Sequence, residues 1–82
     1  MSPNDVKLRN LLIDVLLIDE DQYRDDFGPD EISSWDSVGM VEIAVAVEQQ
    51  FGYMLAPDEM VNLRSIGDIK DVLRSQGIDF AE

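Results

Sequence analysis

Ser34-Trp35-Asp36-Ser37-Val38-Gly39-Met40-Val41-Glu42-Ile43-Ala44-Val45-Ala46-Val47-Glu48-Gln49-Gln50-Phe51 is the stretch on which the fold turns. Asp36 stands where a side-chain cap belongs for a helix opening at Ser37, and Gly52 supplies a C-terminal stop. Within that helix Met40, Ile43, Ala44, Val47 and Phe51 recur at i, i+3, i+4, i+7 and i+11, a stripe that faces a core. Val38, Val41 and Val45 form a second apolar stripe on the other side, flanked by Glu42, Glu48 and Gln49. Full burial of that stripe would desolvate its acidic flanks, so it is expected to meet a partner. Ser37 is displayed at the start of this helix beside an acid. With no His and no Cys in the chain, it has no imidazole to deprotonate it and no thiol stands in for it. Its chemistry must be supplied from outside.

Upstream, Ser2, Pro3 and Asp5 make a helix start with a cap, a proline at the first helical position and an acid in the first turn. Leu8, Leu11, Leu12 and Val15 share one face and predict a first helix to about Ile18. From Asp19 to Trp35 the periodicity disappears and Asp, Gly28 and Pro29 dominate, a connection longer than most in bundles. Phe27 and Ile32 are expected to anchor it in the core, with Tyr23 a further candidate. Downstream, Pro57, Asp58 and Glu59 open a short helix through about Leu63, poorly capped by Ala56. Ser65 and Asp68 start a last helix with Ile66, Ile69, Val72 and Leu73 inward and Gly77 beyond its end. No segment alternates as a strand. The expected fold is all-α, a small four-helix bundle of three main helices plus one short helix, with a long loop between the first and second, as a single domain over 1–82.

A chain of 82 residues buries only ~60% of the surface its unfolded form exposes, which leaves little room for an enclosed active site. A binding or carrier module fits better. The absence of cysteine excludes disulfides and thiolate metal sites. The start, Met1-Ser2-Pro3-Asn4-Asp5, lacks the basic n-region of a signal peptide. The apolar run from Leu11 to Ile18 is interrupted by Asp14 and falls short of the ~20 residues of a membrane span, so no export or insertion is implied; the protein is expected to be cytoplasmic and monomeric. The formal charge of −12 comes from 18 acids against 6 bases. Between Arg24 and Arg64 there is no base, while Asp25, Asp26, Asp30, Glu31, Asp36, Glu42, Glu48, Asp58 and Glu59 fall in that interval. Such a field repels nucleic acid and anionic membrane and steers basic protein surfaces inward.

Asp36-Ser37-Val38 followed by Val41-Glu42, the phased helix to Phe51, the Pro57-Asp58-Glu59 turn and the Ser65-Ile66-Gly67-Asp68-Ile69 helix together resemble the acyl carrier protein family, over essentially the whole chain. That resemblance implies a phosphopantetheine arm on Ser37, transferred from coenzyme A by a separate phosphopantetheinyl transferase that needs Mg²⁺. It implies that acyl intermediates ride the arm as thioesters between enzymes of a biosynthetic pathway, and that the chain is a carrier and not an enzyme. Asp36 is then both helix cap and part of the surface the transferase reads. Val38, Val41, Glu42, Val45 and Glu48 are implied to lie on the recognition helix that acyl-loading and acyl-processing enzymes contact through basic docking patches. Gly39, unfavourable in a helix by ~1 kcal/mol relative to Ala, suggests room for a close partner or for the arm. Fatty-acid carriers often show a further acidic pair where this chain has Gln49 and Gln50. Together with Trp35 before the Asp-Ser pair, this looks more like the stand-alone carriers of polyketide and other specialised pathways.

A stand-alone aminoacyl or peptidyl carrier of a nonribosomal-peptide-type pathway would share fold and arm; the acidity and the Asp before Ser37 lean toward the acyl type. An unmodified acidic helical adaptor would use the Val38, Val41, Val45 stripe without an arm. A calcium loop is suggested by Asp19, Asp21, Asp25 and Asp26, but no start in this segment supplies the required ligand spacing with a twelfth-position Glu. A hydrolase has no base to partner Ser37.

Overall fold

A computed structural model describes residues 2–80. Met1 of the N-terminal stretch and the last two residues of the domain expected over 1–82 lie outside the described residues. Among the described residues the elements are α1 (Pro3–Leu16), a 3-10 turn (Glu20–Gln22), α2 (Ser37–Phe51), α3 (Pro57–Asn62) and α4 (Ile66–Ser75), with no strand. The architecture is the expected all-α bundle of three main helices and one short one.

The Oγ of Ser2 accepts the N–H of Asp5 at 3.1 Å, and Pro3 occupies the first helical position of α1. Leu8, Leu12 and Leu16 form its deepest row with Leu11 beside them, while Val15 is only half-buried. The helix ends before Ile18, where the spacing had extended it. The Ser34 hydroxyl donates to the carbonyl of Leu16 at 2.6 Å, occupying an acceptor at the helix end with a loop side chain. Leu17 then turns into the left-handed region at φ 56° with its side chain exposed, and Ile18 re-enters the core.

The long loop is a structural member of the bundle. Ile18, Ile32 and Trp35 are buried, and Tyr23 and Phe27 half-buried against the same core. The carbonyls of Phe27 and Asp25 accept the N–H groups of Ile66 (2.8 Å) and Gly67 (2.9 Å). Ser65 Oγ accepts that of Asp68 at 3.2 Å, so the first turn of α4 is capped throughout. Gly28 is required at this crossing, because a Cβ there would lie 1.9 Å from the carbonyl oxygen of Arg64.

On α4, Ile66, Ile69 and Leu73 are buried as expected, but Val72 is half-buried and Lys70 is the fourth buried residue. Its Nζ lies 2.7 Å from Asp25 and 3.4 Å from Asp5, and 5.0 Å from the centre of the Tyr23 ring. The Tyr23 hydroxyl donates to Asp5. Burial, and then this bond, push the Tyr23 phenol well above its ordinary range. One ammonium thus joins α1, the loop and α4.

The entry to α3 is better capped than Ala56 suggests. Glu59 accepts both the N–H of Ala56 (2.9 Å) and the hydroxyl of Tyr53 (2.5 Å), and these two bonds hold its carboxyl below the usual carboxylate value. No residue of α3 is itself fully buried. The flanking Leu55 and Leu63 pin its ends into the core.

Candidate functional site

The segment before Ser37 is held on both sides. Ile32 and Trp35 are buried and joined by a turn in which the Trp35 N–H donates to the Ile32 carbonyl at 3.0 Å. Among the described residues the indole N–H of Trp35 has no hydrogen-bond acceptor. Asp36, in extended backbone, accepts the N–H of Gly39 on its carboxylate at 2.8 Å, and its carbonyl accepts that of Met40 at 2.8 Å. The cap expected from sequence is present. It is worth ~1 kcal/mol, against ~1.5–3 kcal/mol for each large aliphatic side chain fully buried. Ile43 and Val47, both fully buried, therefore hold α2 in place more firmly than the cap does, and the cap sets where the helix begins.

That beginning leaves Ser37 exposed at the first helical position. First-turn geometry denies the N–H groups of Ser37 and Val38 an intrahelical acceptor. The positive end of the helix dipole lies at the same place. Asp5, Asp58 with Glu59, and Asp68 put acids into the first turns of α1, α3 and α4, but α2 has none. The Asp36 carboxylate is turned onto Gly39. In a chain this acidic, the start of α2 is the helix end left open to an added anion.

Beside Ser37 runs an apolar groove of about 460 Å³ between α2 and α3, lined by Ser37, Met40, Pro57, Met60 and Val61. Sequence reasoning missed its far wall. Pro57, Met60 and Val61 stand at i, i+3 and i+4, a helical face that could have been found from spacing alone.

The second stripe of α2 is exposed as expected: Val38 is 65%, Val41 56% and Val45 49% accessible, with Glu42 and Glu48 exposed alongside. Gly39 needs correction. A Cβ there would come 2.3 Å from the Ser34 carbonyl oxygen and 3.2 Å from Leu16 Cδ2. The space beside Gly39 is filled by the chain's own backbone and gives no room to a partner or arm. Among the described residues no helix is long and apolar enough to cross a membrane.

An exposed hydroxyl, two open amides suited to phosphodiester oxygens and an apolar groove alongside together fit a phosphorylated, flexible prosthetic arm. The family model for the phosphopantetheine attachment site matches residues 6–73. An acyl carrier protein of Coprothermobacter proteolyticus is 25% identical over 69 residues, 84% of each chain. An acyl carrier protein of Acidothermus cellulolyticus is 45% identical over 38 residues, 46% of this chain and 45% of that protein.

Proposed function

Because the chain belongs to the phosphopantetheine-attachment family, its prosthetic group is a covalently bound phosphopantetheine, and we propose that Ser37 bears it and that the protein is an acyl carrier. The observation that carries this reading is the exposed Ser37 hydroxyl at the first position of α2, in a turn free of acids beyond the cap. In the attachment step, a separate transferase removes the Ser37 proton. The Oγ–P bond forms as the pyrophosphate bond of coenzyme A breaks, and the nucleotide half leaves. The N–H groups of Ser37 and Val38 would hold the phosphodiester, where unpaired amides and the helix dipole favour an anion. Asp36 fixes the helix start and so the place of Ser37 at its first position.

The arm supplies a thiol, which a chain without cysteine lacks, and that thiol carries acyl groups as thioesters. The bundle itself contributes display and docking. Val38, Val41 and Val45 offer an apolar centre, and Glu42 and Glu48 offer charge to acyl-loading and acyl-processing enzymes with basic patches. The test is to incubate the protein with a broad-specificity phosphopantetheinyl transferase, coenzyme A and Mg²⁺ and measure intact mass. One arm is expected on the wild type and none on a folded Ser37→Ala variant. A wild type that stays unmodified, or a labelled Ser37→Ala, would overturn the assignment of Ser37.

A further inference from the structure

Leu17 is the one non-glycine residue with positive φ among the described residues, at 56°, and its side chain is 86% exposed. Left-handed helix ends favour Gly or Asn, which avoid the Cβ conflict and leave no apolar side chain in water. Leucine is the worse choice on both counts at this position, and it makes no place for itself in the core. Its location gives the conjunction a meaning. Leu16, immediately before it, accepts the Ser34 hydroxyl and packs against Gly39 in the first turn of α2, which places Leu17 at the end of the bundle where α2 begins.

The charge around it specifies the partner. From Arg9 to Arg24 there is no base, and Asp14, Asp19, Glu20 and Asp21 are all exposed. Leu17 is an exposed apolar side chain within an acidic stretch of the chain, as the Val38, Val41, Val45 stripe is flanked by Glu42 and Glu48. A complementary surface has a small apolar pocket rimmed by Lys or Arg.

We propose that Leu17 is a docking residue for the phosphopantetheinyl transferase, entering an apolar pocket with a basic rim while α2 presents Ser37. The inference rests on the carrier reading, and it adds a second contact on the α1 end of the loop. It is tested by the steady-state kinetics of arm transfer from coenzyme A, with a broad-specificity transferase as the probe. Leu17→Asn keeps a residue that tolerates left-handed backbone and removes the apolar knob. It is expected to raise KM for the carrier by about tenfold, a factor within what burial of a leucine supplies, with kcat and melting temperature unchanged. Leu17→Met should restore most of the affinity. Met54→Asn, at another exposed apolar position beyond the opposite end of α2, should leave KM as in the wild type. A wild-type KM for Leu17→Asn, or an equal rise for Met54→Asn, overturns the docking role while leaving the carrier reading intact. Failure of the wild type to accept an arm would instead remove the carrier reading on which it stands.

Discussion

The carbonyl oxygen of Ser34 sits 2.3 Å from where a Cβ on Gly39 would be, so the residue two places after Ser37 is glycine because the approaching loop leaves no volume. Helix propensity alone makes Gly39→Ala stabilising by ~1 kcal/mol. The contact reverses that sign. The Ser34 carbonyl must move, and with it the hydroxyl that donates to Leu16 at 2.6 Å. Overpacking of this kind costs ~1–3 kcal/mol, so Gly39→Ala should lower the melting temperature, by about 4–8 °C for each net kcal/mol in a domain of this size. A raised melting temperature would mean that the loop yields freely.

Lys70 offers a second test, since it is 7% exposed and holds Asp25 and Asp5 at 2.7 and 3.4 Å. Lys70→Met preserves the methylene packing and removes the charge, leaving Asp5 without its cation. Breaking a fully buried pair costs ~3–5 kcal/mol, but Asp25 is largely solvated, so about 1–3 kcal/mol is expected here. Denaturant unfolding measures it. Stability equal to wild type would show that Tyr23 and solvent compensate Asp5 unaided.

Much of this fold could be read from local signals, and the exceptions share a cause. Ser2 with Pro3, Asp36 with Gly52, and Ser65 with Asp68 mark helix ends by bonds within a few residues, and α2 occupies its expected Ser37–Phe51 span. The early end of α1, the burial of Lys70 and the need for Gly28 all arise from contacts across long separations: Ser34 with Leu16, Asp25 with Lys70, Arg64 with Gly28. Periodicity carries no information about those partners. The cap on α3 was available in the sequence as Glu59, three residues after Ala56, half of a capping box. At the site, the place of Ser37 and the exposed valine stripe were legible because both follow from the phase of one helix. The groove needed α3 to be placed beside α2.

Glu59 gives a pH dependence with a defined sign. Its hydrogen bonds from Tyr53 and Ala56 lower its folded pKa from 4.5, so the bound carboxylate stabilises the fold fully above that value. That contribution is lost as pH falls below 4.5 through the depressed folded value. Glu59→Gln should remove it. The melting-temperature difference between wild type and Glu59→Gln is therefore expected to be constant near neutrality and to shrink below pH 4.5, independently of the general relief of self-repulsion as other acids protonate. A difference that stays constant to the lowest pH at which both proteins fold would show that the two bonds do not distinguish carboxylate from acid.

The exposed face of α2 separates steering from docking. Reversing Glu42 to Lys removes long-range attraction for a basic partner and should slow encounter. Val41→Asp, at the middle of the exposed stripe, instead places a charge in the apolar centre of the proposed contact and should weaken the docked complex by desolvation. Salt distinguishes the two, because screening already acts over ~10 Å at 0.1 M and shortens further above it. The penalty for Glu42→Lys should shrink as salt rises, while that for Val41→Asp should largely persist. Arm-transfer rates measured for both variants across a salt series decide the matter; wild-type rates in both would place the partner surface away from α2.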